Sequence, residues 1–546
     1  MKIALAQYNP IVGDISGNSR KMSDCISRSA AAGADLVVFG ELSVIGYPPR
    51  DLLRKEQFVA DNLAAVEALA GQCKGIAALV GFVRQTPGGK GRPLQNVAGL
   101  LKDGKVCHVH VKNLLPTYDV FDEQRYFEPG PQALCLELGG LKIGLSICED
   151  LWDAVSLGRH LYGADPIAQL AGLGAEVIIN MAASPYQMGK AALRESLFVR
   201  QARRSRAAIV YVNQVGGNDE LIFDGASCVV SADGKVMGRA GSFVEDLLIV
   251  DTASGGRIEA LGTELERLSA ALKLGLRDYI HKVGFKSVVL GLSGGIDSSV
   301  VATLAADALG AGNVHAIAMP SRYSSDHSLA DAKALADNLG IHYRVIPIEP
   351  VHRAFEQSLA GELQGAKGAE LAAENIQARI RGNILMALSN AHGHMVLATG
   401  NKSEFSTGYC TLYGDMAGGL ALIGDVLKTL VFALAHQLNA QAGAERIPLR
   451  VIDKPPSAEL KPNQFDQDKL PPYDLLDQIL ERYVEGDRTA RQIIAEGFDA
   501  KVVNYVVGLV DSSEYKRKQA APVLKVTARA FGSGRRMPIV QRYGAS

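Results

Sequence analysis

The segment KSVVLGLSGGIDSSVVATLAADALG (286–310) constrains the fold most: an apolar run, a Gly/Ser loop and an Ala-rich helical stretch follow one another without interruption. It is followed by NVHAIAMP, a further helical stretch and HYRVIPI. Two successive strand-helix units of this kind predict a doubly wound parallel sheet. The first half also alternates short apolar runs with amphipathic segments, so the class is α/β throughout. There a strand is expected at Lys2 to Gln7, a helix over 18–32 stopped by Gly33, and a strand LVVFGE ending on Glu41. Asp103-Gly104 and Asp233-Gly234 each join two alternating runs and predict hairpins. Length, 546 residues, exceeds one ordinary domain. The change of pattern near Ser254 divides the chain into 1–255, a connecting helical stretch 256–275, and 276–546.

Composition removes several classes of function. With 57 basic and 58 acidic residues the formal charge is −1, and no basic tail stands ready to neutralise a run of phosphates, so nucleic acid is not an expected partner. Seven cysteines, at 25, 73, 107, 135, 148, 228 and 410, include no C-x-x-C pair. Neither a disulfide framework nor a zinc cluster is expected, and a reducing, cytoplasmic setting fits best. MKIALAQYNPIVGD lacks the apolar length of a signal segment, and no run is long enough to span a membrane.

The loop GLSGGIDSS (291–299) lies where a strand passes into a helix, the place where backbone amides and the positive helix end meet an anion. Gly294 and Gly295 allow close approach, and Ser293, Ser298 and Ser299 add hydroxyls. The lysine of a Walker loop is missing, and Asp297 stands there instead. A carboxylate beside phosphates needs a bridging cation, which implies Mg²⁺ between Asp297 and a polyphosphate. S-G-G-x-D-S resembles the signature of the ATP pyrophosphatases, the PP-loop family with an adenine nucleotide alpha hydrolase-like fold. The resemblance implies that ATP is cleaved to AMP and pyrophosphate and that Gly291, Leu292, Ser293, Gly294, Gly295, Ile296, Asp297 and Ser298 bind it.

Five further strings, ENIQARIRGN (374–383), LATGNKSE (397–404), GYCTLYGDMAGG (408–419), PPSAEL (455–460) and EYKRKQ (514–519), resemble the NAD⁺ synthetases in order and spacing. That resemblance implies ATP contact by Thr399 and deamido-NAD⁺ contact by Asn375, Glu404 and Lys516. Glu404 reads either as a Mg²⁺ ligand or as a dinucleotide contact. Asp415 and Lys428 match substrate- and ATP-holding positions. Read without the resemblance, Lys516 in its basic run is an ordinary surface lysine, and Arg322 caps a helix as readily as it meets phosphate.

In the first half, Cys148 follows the apolar run LKIGLSI. A lone cysteine at a strand end is ordinarily an inert small hydrophobe. Glu41 and Lys112 end comparable runs, however, and an ionised lysine near the sulfur lowers thiol pKa while a carboxylate shuttles the proton. FGELSVIGYPPRD (39–51), KNLLPTYDVFDEQRYFEPG (112–130) and LSICEDLW (145–152) resemble the nitrilase, or carbon-nitrogen hydrolase, superfamily and its glutaminase branch. This implies an αββα sandwich with Cys148 as nucleophile, Glu41 as general base and Lys112 as oxyanion stabiliser. Tyr118, Ser184 and Lys190 are then the glutamine contacts. Glu123 either supports the triad or pairs with neighbours such as Arg125.

Together the two resemblances imply a carbon-nitrogen ligase that amidates deamido-NAD⁺ to NAD⁺ with ammonia drawn from glutamine. They further imply an internal passage for that ammonia and homo-oligomers formed through the synthetase half. Other glutamine-dependent PP-loop ligases are rivals, but the chain starts Met1-Lys2-Ile3 rather than with the N-terminal cysteine of asparagine synthetases, and no Cys-His-Glu amidase pattern like that of guanylate synthetases is visible. A nucleotide sensor with an inactive first half is the rival from another class.

Overall fold

The computed structural model describes residues 1–89, 91–462 and 464–543. The chain divides into two compact units, Met1–Glu264 and Leu265–Ser546.

The first unit holds two six-stranded mixed sheets. One runs, edge to edge, Asp246–Asp251, Lys2–Gln7, Leu36–Val38, Ala77–Gln85, Leu94–Lys102 and Lys105–Val111. The other runs Val236–Arg239, Cys228–Val230, Ala208–Asn213, Val177–Ala182, Leu141–Ile147 and Leu134–Leu138. Period-two alternation sorts the side chains of the first strand. Ile3 and Leu5 join the core shared with Leu145, Ile147 and Ile179 of the second sheet, whereas Ala4 and Ala6 face Met22, Ile26, Val59 and Val66 of two covering helices. Leu170 and Leu197 cover the second sheet from its own helices. The layers are therefore αββα, as expected.

Local deviations have local causes. The first helix spans Ile15–Ala31, three residues earlier than expected, because the Asp14 carboxylate caps it by accepting from Gly17 N at 2.9 Å. The strand before Glu41 stops at Val38, residues 39 and 40 are irregular, and residues 41–45 turn. Gly81 packs so closely there that a Cβ on it would lie 2.4 Å from Leu42 N. Both hairpins form. At Asp103-Gly104 both residues have positive φ (50° and 83°), the primed turn that matches strand twist. At Asp233-Gly234 only the glycine does, and the neighbouring register shifts at Val229/Val230.

The second unit has a five-stranded sheet, parallel throughout, in the order His342–Val345, Val314–Ala318, Val288–Gly291, Met395–Ala398, Leu420–Ala421. Chain order reverses between Val288–Gly291 and Met395–Ala398. A crevice opens at the carboxyl ends of the strands at such a switch point. The helix Glu264–Lys282 precedes the sheet. No described helix is long and apolar enough to cross a membrane.

Candidate active sites

In the first unit Lys112 immediately follows the strand Lys105–Val111 and is fully buried. Its ammonium donates to Glu41 Oε1 at 2.7 Å and to Glu123 Oε1 at 2.8 Å. Glu41 also accepts from Asn96 Nδ2 at 2.7 Å and, through Oε2, from Ala183 N at 3.2 Å. Tyr47 OH donates to Glu123 at 2.9 Å. Glu123 therefore belongs to the lysine cluster, as one of the two sequence readings had it, while Arg125 lies toward Asp51 and Asp122. Burial alone would pull the Lys112 ammonium down, but Glu123 and Glu41 outweigh it and hold it well above the usual lysine range. Burial pushes the Glu123 carboxyl up to about 7, against Lys112.

Cys148 opens a short 3₁₀ turn, Cys148–Leu151, with φ +44°, a conformation a non-glycine residue rarely adopts. The thiol is carried on a sharp elbow, and Glu41, Lys112, Glu149 and Glu123 all act electrostatically on it. Burial and then Glu41 raise it well above the usual thiol range, with Lys112 opposing. Lys112 acts in the direction expected of a nearby ammonium, but burial and Glu41 outweigh it. A thiol held in its protonated form needs a base beside it if it is to react as a nucleophile.

Of the three expected glutamine contacts, Tyr118 bonds the elbow directly, through Glu149. Tyr118 OH donates to both oxygens of Glu149 at 2.9 and 3.0 Å. Buried Ser184 is held through its backbone, its N–H on Asn213 Oδ1 at 2.9 Å and its carbonyl accepting from Asn213 Nδ2 at 3.2 Å. Lys190 Nζ donates to Pro185 O at 3.0 Å and lies 5.5 Å from the centre of the Trp152 ring. Glu149 was not singled out from the sequence. It is buried, raised above the usual carboxyl range by burial, and bonded also by Tyr162 OH at 2.9 Å. Its place beside the cysteine was the available signal; nothing in the sequence marked Tyr162.

In the second unit the loop 292–295 joins the strand Val288–Gly291 to the helix Ile296–Leu309, whose N-cap is Gly295. Gly294 has φ +77°, and a Cβ there would lie 2.2 Å from Ser328 O. Ser293 Oγ and Ser298 Oγ stand 3.1 Å apart, and Ser299 Oγ donates to Gly295 O at 2.8 Å. The loop lines a cavity of about 290 Å³ at the switch point, together with Thr399, Glu404, Asp415 and Lys428. Arg381 and Asp466 line it too and were not singled out. Arg381 donates to Met319 O at 3.0 Å, and burial lowers its guanidinium to about 10.

Asp297 and Glu404 converge on one amine. Lys428 Nζ donates to Asp297 Oδ2 and lies 3.7 Å from Glu404 Oε1. Asn401 ties the two acids together: its Nδ2 donates to Asp297 Oδ1 at 2.9 Å, its Oδ1 accepts from Glu404 N at 3.0 Å, and its own N–H reaches Glu404 Oε2 at 3.2 Å. Burial and then Asp297 push the Glu404 carboxyl up to about 8, against Lys428. Among the described residues no three His, Cys, Asp or Glu side chains form a metal cage. Two carboxylates completed by phosphate oxygens are the usual way Mg²⁺ is held, and a divalent ion would relieve the repulsion between them, so the donor set fits Mg²⁺.

Asn375 and Lys516 meet the loop that follows Gly408 rather than the cavity wall. Asn375 Oδ1 accepts from Thr411 Oγ1 at 2.8 Å, and Lys516 Nζ donates to Gly408 O and Cys410 O at 2.7 and 2.9 Å. The same loop presents Asp415, which accepts from Thr411 N at 2.7 Å and is raised by burial to about 6. Lys516 is thus no plain surface lysine. Arg322 pairs with Glu349 and Glu356 instead of facing the cavity.

The carbon-nitrogen hydrolase family matches residues 2–259 and the NAD synthase family residues 268–520. The chain is 49% identical to the glutamine-dependent NAD(+) synthetase of Synechocystis sp., over 99% of each chain. It is 44% identical to that of Acinetobacter baylyi, over 99% of this chain and 98% of the relative. Among solved structures, the glutamine-dependent NAD⁺ synthetase of Acinetobacter baumannii in complex with ADP is similar at 41% identity and TM-score 0.78, covering 100% of this chain and 99% of that one. The Cytophaga hutchinsonii synthetase shares the fold, at 22% identity and TM-score 0.84 over 99% and 97%.

Proposed function

This chain belongs to the glutamine-dependent NAD⁺ synthetases, and from that premise we propose how its residues divide the reaction. The amidase occupies 1–255 and the synthetase 276–546, with 256–275 connecting them. Glu41 removes the Cys148 proton as the sulfur attacks the side-chain amide carbon of glutamine. Two of the three Lys112 N–H groups are engaged by Glu41 and Glu123, and the third meets the developing oxyanion. The proton on Glu41 passes to the departing nitrogen, ammonia leaves, and water then opens the thioester to release glutamate. Tyr118, Ser184 and Lys190 hold the glutamine.

In the synthetase the amides of the loop 291–298 and the helix N-terminus hold the ATP phosphates, with Thr399 and Lys428 as further contacts. Asn375, Glu404 and Lys516 position deamido-NAD⁺, the first and last through the Asp415 loop. The nicotinate carboxylate attacks the α-phosphorus and expels pyrophosphate. Ammonia then attacks the activated carboxyl carbon and expels AMP. Mg²⁺ bound through Asp297 and Glu404 would neutralise phosphate charge. ADP on a relative at 41% identity supports an adenine nucleotide in this cavity. The seven unpaired cysteines support a cytoplasmic setting, and we infer homo-oligomers through the synthetase half.

The observation that carries this reading is the pair of complete sites on one chain: the buried Glu41–Lys112–Cys148 cluster and the Gly-rich loop at the switch point. Incubation with glutamine, ATP, Mg²⁺ and deamido-NAD⁺ is expected to yield glutamate, NAD⁺, AMP and pyrophosphate. Formation of ADP in place of AMP would sink the adenylation step.

A further inference from the structure

Asp150 takes no part in the scheme above, yet it is buried between the two residues that matter most to the amidase. Its Oδ1 accepts from Asn113 N at 3.0 Å and from Leu114 N at 2.7 Å, the two amides directly after Lys112. Its Oδ2 accepts from Ile147 N at 2.9 Å, the amide directly before Cys148. Lys112 leaves one sheet of the sandwich and Cys148 leaves the other. One carboxylate therefore bonds the strand ends of both sheets at the point where each delivers its functional side chain. Below it His110 Nε2 lies 3.7 Å from Oδ2, and both ring nitrogens of that buried histidine lack a hydrogen bond.

The other bonds of the elbow hold the Glu149 side chain, through Tyr118 and Tyr162, and the Leu151 carbonyl, through Gln201 Nε2 at 2.8 Å. Cys148 has positive φ, and its carbonyl is met at 3.4 Å by Asn180 Nδ2, which also donates to Ser146 Oγ at 3.0 Å. A strained residue keeps its conformation only when its surroundings over-determine it, and Asp150 supplies that constraint from within the same turn. We propose that Asp150 is a positioning residue: its carboxylate sets the placement of the Cys148 sulfur relative to the Lys112 ammonium across the two sheets. The inference rests on the reading of Cys148 as nucleophile and Lys112 as oxyanion stabiliser.

Three N–H donors converge on two acceptor oxygens, so an amide cannot replace the carboxylate. Asp150→Asn would keep one oxygen and turn an NH₂ group against a backbone donor. Asp150→Glu would keep the charge but move the oxygens by about 1.5 Å, one bond length. Placement, rather than charge alone, requires that both variants lose turnover.

The test measures glutamate release by the full-length protein for Asp150→Asn, Asp150→Glu and Cys148→Ala, beside ammonium-driven NAD⁺ synthesis. Turnover is referred to the folded fraction, read from emission of Trp152, the only tryptophan in the sequence and two residues from Asp150. Both Asp150 variants are expected to lose roughly 10- to 100-fold in kcat, with KM for glutamine within about twofold of the parent. Ammonium-driven synthesis is expected to be unchanged. A kcat within about twofold of the parent in either variant overturns the proposal, as does a loss carried by KM instead. Glutamate release by Cys148→Ala would overturn the underlying reading, whereas an inactive Cys148→Ala beside a fully active Asp150→Asn would overturn the positioning role alone.

Discussion

At the scale of single residues, the first unit buries one cation between two carboxylates, with a thiol within electrostatic reach. Lys112 satisfies Glu41 and Glu123 together, and Glu123 carries the cost of the arrangement. Burial, partly offset by Lys112, moves its carboxyl from 4.5 to about 7. Between those values the folded chain holds a proton that the unfolded chain has released. The stabilisation linked to this proton is complete below about 4.5 and is lost as pH rises through about 7. Glu123→Gln cannot titrate. The melting temperature of the parent relative to Glu123→Gln, followed by Trp152 emission, is therefore expected to fall across that window and to be flat above it; a difference that is flat throughout would show that Glu123 stays ionised. Lys112 and Cys148 were legible in the sequence because each follows an apolar run directly. Asp150 and Asn401 were not, since an acid or amide serving backbone amides leaves no periodic trace and is identified only by what it touches.

At the scale of elements, what the sequence displayed best was the junction of strand, glycine loop and helix at 288–309, and the structure gives the two glycines separate work. Gly294 takes φ +77° against Ser328 O, whereas Gly295 is the helix N-cap with φ −90°. Alanine at 294 would carry the left-handed penalty of about 1–2 kcal/mol. Its Cβ would also stand 2.2 Å from a backbone oxygen, which only a shift of the loop or of the helix Asp326–Leu339 relieves. Gly294→Ala is expected to raise KM for ATP by at least about tenfold, equivalent to about 1.4 kcal/mol, while glutamate release stays at the parental rate; steady-state assays of both half-reactions check this. An unaltered KM for ATP would mean that the phosphates do not rest on this loop. Hairpins and sheet class were equally legible, because turn residues and period-two alternation are local. The early end of the strand at Val38 was not, since 39–41 read as its continuation and leave it only where Gly81 packs against 40–42.

At the scale of the whole chain, a formal charge of −1 coexists with chemistry on three anionic or polar substrates, and each unit buries a lysine beside acids: Lys112 in one unit, Lys428 in the other. Each is compensated by its own pair of acids, Glu41 and Glu123 for the first, Asp297 and Glu404 for the second. Within each unit the residues assigned to one half-reaction come from that unit's own strand ends, loops and helices. Damage to one set should therefore leave the other half-reaction working. Cys148→Ala is expected to lose glutamine-driven NAD⁺ synthesis by more than about 10³-fold. With saturating ammonium it should synthesise NAD⁺ at the parental rate, because free ammonia attacks the same activated carboxyl whatever its source. Ammonium is mostly protonated near neutral pH, so the rate supported by added ammonium should climb with pH in step with the free base, in the variant and the parent alike. Parallel assays with glutamine and with ammonium at several pH values read both effects. If Cys148→Ala were inactive with ammonium as well, the amidase cysteine would be serving the synthetase directly, and the separation of the two half-reactions along the chain would have to be abandoned.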